Sequence, residues 1–412
     1  MKIVIAAVGS TGDVAPYTGL AAHLIDQGHD VAIATQELFA DMVRGCGAEF
    51  RLIPGDIQAA MASEDGEELQ RGGGGLRGML ANLRLARTLV EVVGEGMITA
   101  TEDADVLLLN RGTMFHGYLL AKARGIRGYS LELFPMLPTT EFSLGEPTNS
   151  LVAKAFHWLV DQVVSRVRTP VDSALRDFQK RIGLKPSGLA PVYDAAVADL
   201  SWPVLHGYSP TLLPRPHDWR ENSDVVGYWW PHRSPDWQPP ADLVDFLDAG
   251  PAPVFVGFGS MSPGKGEPLS ELVLEALPPG TRAVFQTGWA GLSAHGDDVL
   301  TVDHVPHDWL FPRMAAVVHH GGAGTTGAGL RAGVPTVSVP VLGDQPFWSR
   351  RLEKIGTSPG WIPAAELTTA GLGKLVRRAV AEPYYRKKAK QIAESVNSED
   401  AFGHVAKALE NG

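Results

Sequence analysis

His319-His320-Gly321-Gly322-Ala323-Gly324-Thr325-Thr326 constrains this chain more than any other stretch. Ahead of it, residues 315–318 read as a short buried strand, and after it residues 327–333 read as a short helix that stops before Pro335. The turn between them exposes backbone N–H groups and the positive end of a helix dipole, a setting suited to phosphate or diphosphate. Glycines let the backbone approach an anion closely, and Thr325 and Thr326 add hydroxyl donors. A well-capped helix with no ligand is the plainer alternative. Capping by itself asks for neither two histidines nor the Gly343-Asp344-Gln345 that follows.

Gly322-x-Gly324-x-x-Gly327 is also a formal dinucleotide fingerprint, with Asp344 near the spacing of a ribose-binding acid. That leaves a nicotinamide oxidoreductase open as an alternative. Two polar histidines precede the glycines where an uninterrupted apolar strand end belongs, and a complete α/β half already lies before them.

With 412 residues, 44% hydrophobic and 20% charged, the chain is long enough for two soluble domains with ample core. A net charge of −10 and no basic face argue against nucleic acid. The basic run Arg386 to Lys390 reads as the solvated face of a helix. Cys46 is the sole cysteine, which excludes an internal disulfide and a cysteine metal site. The N-terminus lacks signal-peptide architecture, and no apolar run is long enough to span a membrane. The expectation is a cytoplasmic monomer.

Strand and helix patterns alternate along the chain. Residues 2–8 form an apolar run ending in Gly9-Ser10-Thr11-Gly12-Asp13, Pro16 opens a helix to residue 26, and residues 31–34 make the next strand. Strands at 106–109 and 128–133 flank a helix at 115–122. The glycine-rich segment 70–78 cannot hold regular structure and reads as mobile. Residues 158–181 read as a helical insertion interrupted by Pro170. From 205 to 240 the chain is loaded with Pro, Trp and His, an ordered but irregular connection. A second alternation follows: strands at 253–258, 282–285, 317–319 and 336–339, a helix at 269–277, and terminal helices at 384–395 and 400–409. The fold class is therefore α/β, with two Rossmann-like doubly wound domains facing across a cleft. The expected divisions are 1–215 for the N-terminal domain, 216–240 for the linker and 241–383 for the C-terminal domain. Helices at 384–412 complete the chain and can pack back on the N-terminal domain.

The motifs Gly9 to Pro16, Val256 to Met261, Gly288 to Leu292, Val305 to Phe311, His319 to Thr326, Gly333 to Pro335 and Gly343 to Trp348 occur in one order over nearly the whole chain. In that order they resemble the inverting, nucleotide-sugar-dependent glycosyltransferases of the GT-B fold. The likeness is to the bacterial branch of family 1 that includes sterol glucosyltransferases and vancomycin-group antibiotic glycosyltransferases. The resemblance implies a UDP-sugar co-substrate with glucose as the sugar, held by the C-terminal domain, no resident cofactor, and transfer to a lipophilic acceptor in the N-terminal domain such as a sterol, triterpenoid or polyketide. TDP-sugar-dependent antibiotic glycosylation and nucleotide-sugar 2-epimerisation on the same fold stand as alternatives.

Carried over by position, His320 and the N–H groups of Gly322, Gly324 and Thr325 would hold the donor diphosphate, with Ser260 reaching it from the other side. Val305 would pair with the base through its backbone, and Trp289 would lie near base or ribose or else close the core. Asp344 and Gln345 would bond the sugar hydroxyls, unless Asp344 merely caps a helix. Where a large branch of the family places a histidine base, this chain has Asp13, in Gly12-Asp13-Val14-Ala15-Pro16. A carboxylate raised in pKa by burial can serve as that base. The alternative for Asp13 is a cap on the helix near Pro16, and Ser10 is an auxiliary. Asn110, His116, Phe134 and Met136 are acceptor-side candidates, the first two with structural alternatives. No metal is expected. Asp103-x-Asp105 precedes a strand on the wrong side, and His304-x-x-His307 has no further ligand spaced to complete a site.

Overall fold

The computed structural model describes residues 1–66, 75–143, 170–260 and 266–411. The N-terminal sheet contains β1 (Lys2–Ala6), β2 (Asp30–Thr35), β3 (Glu49–Leu52), β4 (Val106–Leu109), β5 (Arg127–Glu132), β6 (Val204–His206) and β7 (Ser223–Val225). Their order is β3-β2-β1-β4-β5-β6-β7, and every pairing is parallel. The C-terminal sheet contains β8 (Val254–Gly257), β9 (Ala283–Gln286), β10 (Val299–Val302), β11 (Ala316–His319) and β12 (Thr336–Ser338), ordered β10-β9-β8-β11-β12 and again parallel throughout.

The apolar runs explain this layout. A parallel strand with helices on both faces must be apolar on both sides. In β1, Ile3 and Ile5 enter one core layer while Val4 and Ala6 enter the other. Each sheet has one point where the strand order reverses, between β1 and β4 in the first and between β8 and β11 in the second. Loops leaving the carboxyl ends of strands at such a point frame the binding crevice. The Gly9, Asn110, Gly259 and His320 turns are those four loops.

Several boundaries differ from the sequence reading. The helix after β1 is Thr11–Asp26, so Pro16 lies inside it. Proline there leaves the carbonyl of Gly12 without its usual donor, a cost the buried Val14, Tyr17, Leu20 and Leu24 offset. The segment expected to be irregular through residue 78 already joins a helix, Gly75–Ala100, because the Leu, Met, Ala and Arg residues that follow are strong helix formers. Of the expected insertion, the described part is the helix Pro170–Arg181. The rest of the 158–181 insertion lies outside the described residues, as do Gly72 to Gly74. The connection expected at 216–240 contains β7, which pairs with β6 and extends the first sheet to Val225.

The two terminal helices part company. Pro383–Asn397 stays with the second domain, where Arg386, half-buried and not on a purely solvated face, donates to the carbonyls of Met314 (2.8 Å) and Ala315 (2.5 Å). Ala401–Asn411 crosses back to the first. Its Val405 and Leu409 enter the core with Ile3 and Ile33, while Tyr129 and Arg127 bond the carbonyls of Ala408 and Leu409 at 2.9 and 3.1 Å. Between the domains Tyr208, Trp219 and Tyr228 pack with Phe347, Trp348 and Val396. The aromatic-rich connection is thus a packed interface, with His206 stacked on Trp219 at 4.3 Å between centroids. Among the described residues no helix is long and apolar enough to cross a membrane.

The returning helix makes a test of domain tethering. Leu409→Ala removes a side chain that is 1% exposed in the first domain's core, and is expected to cost about 2–5 kcal/mol. Urea unfolding read by tryptophan fluorescence measures it, and an unchanged midpoint would contradict the docking.

Candidate active site

At the β1 end, Gly9 holds a φ of +141°, and a Cβ there would come within 2.5 Å of Asp13 Oδ2. Glycine lets the chain turn sharply enough for the helix to begin at Thr11 with Ser10 as its cap. The Ser10 amide and hydroxyl both donate to Asp13 Oδ2 at 2.8 Å, the acidic half of a capping box. Asp13 therefore does cap this helix, from its third position and not near Pro16. Its Oδ1 has no partner among the described residues. Burial raises the Asp13 pKa above the usual carboxylate range, and the two Ser10 bonds hold part of that rise back.

Asn110 stands behind this turn. Its Oδ1 accepts from Val8 (3.3 Å) and Gly112 (3.0 Å), and its Nδ2 donates to the carbonyls of Val8 (2.9 Å) and Asp13 (3.3 Å). With the Thr113 hydroxyl also donating to Oδ1 at 3.3 Å, Asn110 spends its amide on the loop that carries Asp13 and on its own turn. His116 is removed from the cleft: it is 2% exposed, sits edge-on to Phe178, and is held neutral by burial with a pKa of about 4. Gln36, not anticipated from sequence, accepts from the Gly9 amide at 3.4 Å.

The facing loops belong to the second domain. His319 ends β11 and its Nδ1 accepts from the Gly321 amide at 3.1 Å, so it shapes the turn. His320 lies between Gly259 and Gly322. A Cβ on Gly259 would approach its ring to 3.0 Å, and one on Gly322 would collide with Nε2. Both glycines therefore make room for an imidazole as well as exposing amides. Burial drives the His320 pKa to about 4, so the ring is neutral at pH 7, and its Nδ1 is buried without a partner. The helix Ala323–Ala332 starts here, leaving the amides of Ala323, Gly324 and Thr325 outside its ladder. Ala323 was not singled out in the sequence. A Cβ on Gly324 would meet nothing within 4 Å, so the space over this helix start is open. Thr326 turns inward, with its amide on Gly322 O at 2.9 Å.

Ser260 and Trp289 sit on two loops joined backbone to backbone, Trp289 N–H donating to Gly259 O at 2.9 Å. Trp289 is half-buried, and the core beneath is closed instead by Ala290 and Leu292. Val305 buries its side chain, 1% exposed, while its N–H and C=O have no partner among the described residues. That leaves a peptide edge that can pair with a base. Met261, next to Ser260, lies outside the described residues.

Asp344 precedes the helix Gln345–Lys354 but its side chain does not cap it; Oδ2 accepts from Trp348 Nε1 at 2.6 Å. Burial raises its pKa to about 6, with the Trp348 bond acting in the opposite sense and the charge of Asp13 making a smaller contribution upward. Gln345 spends its carbonyl oxygen on the Val341 (2.7 Å) and Leu342 (3.2 Å) amides, leaving its Nε2 hydrogens as the group available to a ligand.

On the acceptor side the run 131–137 is not uniformly apolar. Leu131 belongs to the core, Phe134 packs on the interdomain aromatic cluster, and Met136 lines a small cavity with Glu132. Glu132 is 2% exposed and Oε2 has no partner; burial pushes its pKa up to about 7, with Arg111 acting in the opposite sense. Asp103 lies at the opposite sheet edge, paired with Lys2 at 2.7 Å and Arg51 at 2.6 Å. His307 stacks on Phe311 at 4.2 Å and contacts Gln286. Among the described residues no three His, Cys, Asp or Glu side chains gather as a metal site.

Comparison with known proteins agrees with this build. Residues 3–99 match the glycosyltransferase family 28 N-terminal domain, and residues 285–411 match the erythromycin biosynthesis protein CIII-like C-terminal domain. A sterol 3-beta-glucosyltransferase of Arabidopsis thaliana is 33% identical over 99% of this chain, which spans 65% of that protein. The O-mycaminosyltylonolide 6-deoxyallosyltransferase of Streptomyces fradiae is 32% identical over 100% of this chain and 97% of its own length. Among solved structures, the glycotransferase of kitacinnamycin superimposes with a TM-score of 0.74 at 19% identity, covering 100% of this chain and 98% of that one. Glycosyltransferase VinC in complex with DTDP gives 0.68 at 18% identity, covering 100% of both. The Gly322–Gly327 fingerprint thus belongs to a glycosyltransferase turn and not to a nicotinamide site. By its two matched domains and its full-length likeness to the Streptomyces enzyme, the chain belongs to the GT-B-fold glycosyltransferases, in the branch that holds these sterol and antibiotic enzymes.

Proposed function

We propose that this protein moves a sugar, glucose in the first instance, from a UDP-sugar to a hydroxyl of a lipophilic acceptor with inversion, and that Asp13 is the general base. The observation that carries this reading is that the helix holding Asp13 at its start, Thr11–Asp26, lies against the helix Ala323–Ala332, whose start has no side-chain cap. As the acceptor oxygen attacks the anomeric carbon, its proton passes to Asp13 Oδ1 while Ser10 steadies Oδ2. The bond from the anomeric carbon to the diphosphate breaks, and the diphosphate takes the electron pair. The amides of Ala323, Gly324 and Thr325, the helix dipole and the neutral His320 ring receive that charge. Asp344 and Gln345 would orient the sugar, and the Val305 peptide edge would pair with the base.

Uracil and thymine present the same pairing edge, so a TDP-sugar is the second reading, supported by the VinC complex with DTDP. A 2-epimerase on the same frame is set aside by the likeness to transferases. A sterol, triterpenoid or polyketide acceptor is supported by the names of those relatives and by the apolar Phe134 and Met136. The glycine segment Gly72–Gly75 and the insertion from Leu151 also bear on a bulky acceptor in the sequence; residues 72–74 and 151–169 lie outside the described residues.

Asp13→Asn is expected to lower kcat by roughly 10²–10⁴-fold while UDP affinity stays near wild type. Steady-state kinetics with calorimetry checks both, and wild-type kcat would reduce Asp13 to a helix cap. His320→Ala is expected to weaken UDP or TDP binding by about 1–3 kcal/mol as well as slow transfer; unchanged calorimetric affinity for both nucleotides would remove the diphosphate role. Activity is expected to survive EDTA and to give a β-linked product from an α-linked donor. The anomeric proton coupling in the product's NMR spectrum reads the outcome, and retention would exclude direct displacement.

A further inference from the structure

Glu132 ends β5 beside the end of β4, in register with the Asn110 turn that anchors Asp13. Its Oε2 is buried and unpartnered, and it lines a cavity of about 30 Å³ with Arg111, Met114, Met136, Leu137 and Tyr193. A buried carboxylate oxygen with no donor is costly, and native chains seldom carry one without use. The cavity is large enough for one hydroxyl-sized group. Tyr17, on the helix that carries Asp13, reaches this strand: its hydroxyl donates to Leu131 O at 2.7 Å, and its pKa is raised by burial and then by the charges of Glu132 and Asp13. Glu132 therefore stands on the acceptor side, one strand over from the loop behind the base.

We propose that Glu132 is a specificity-determining residue that binds a second hydroxyl of the acceptor, remote from the hydroxyl that is glycosylated. This rests on the transferase reading above. The chemistry selects a hydroxyl over other groups. It donates to the carboxylate and accepts from Arg111, whereas an ammonium would face Arg111 and a carboxylate would face Glu132. Met114, Met136 and Leu137 supply adaptable apolar walls for the scaffold that carries it. The preferred acceptor is thus a lipophilic skeleton with hydroxyls at two separated positions. Sequence inspection passed over this residue because a lone glutamate inside an apolar run carries no motif.

The test uses pairs of acceptors on one scaffold, mono- and dihydroxylated sterols and flavonoids, with UDP-glucose and a TDP-sugar as donors. Wild type is expected to favour the dihydroxylated member by about tenfold or more in kcat/KM, carried by KM. Glu132→Leu should abolish the preference and leave donor hydrolysis without acceptor unchanged. Glu132→Gln, which keeps an acceptor oxygen, should retain part of it. Neither variant should melt below wild type at pH 8, because both remove a buried charge whose folded pKa is raised and whose ionisation destabilises the fold as pH climbs through about 7. A preference that survives Glu132→Leu, or equal losses on both members of each pair, overturns the proposal and makes the cavity a water site or a packing feature. Failure of wild type to transfer to any acceptor sinks the underlying transferase reading instead.

Discussion

Both sheets are parallel, and the geometry of the whole site depends on that. Each strand hands its chain to a loop at the same edge, and the helix that follows starts there with N–H groups outside its own ladder. One such start, at Thr11, is satisfied from within by a capping box that draws in Asp13. Another, at Ala323, has no side-chain cap and opens onto space above Gly324. The first helix start holds a carboxylate and the second offers room for an anion. The two starts lie on contacting helices, so a carboxylate and an open set of amides come from a single structural rule used twice.

Burial then sets the charge of every group in the cleft. Asp13, Glu132 and Asp344 are all pushed upward, and His320 is pushed down to about 4. The same desolvation that makes a carboxylate a better proton acceptor makes an imidazole a neutral partner for a diphosphate. Asp13 and Asp344 also raise one another's cost of ionisation, which favours a bound ligand that separates or bonds them. The glycines around His320 serve this arrangement sterically, because a ring that is boxed in by Gly259 and Gly322 cannot swing toward solvent.

The aromatic connection and the returning helix hold the two domains together. Tyr208 against Trp348, at 5.3 Å between ring centroids, joins the domains on one side, and the Ala401–Asn411 helix ties the chain's end to its beginning on the other. Trp348 links this framework to chemistry, since its indole N–H holds Asp344.

Apolar runs and glycine turns determined the fold class from sequence, because a strand buried on both faces and a turn at φ above zero each leave few residue choices. They also placed His320, Ser260, Trp289, Val305 and Asp344 on loops that follow strands of the second sheet, and the ordered series of motifs pointed to the family. Tertiary structure decided what each group is free to do. Asn110 is spent on Val8 and Asp13, about a hundred residues away, and on its own turn; His116 is buried against Phe178, and Gln345 turns its carbonyl oxygen back on the loop before it, keeping only its amide hydrogens. Glu132 and Ala323 emerged only in three dimensions. A side chain's exposure and an amide's vacancy are properties of packing, and no spacing along a chain records them.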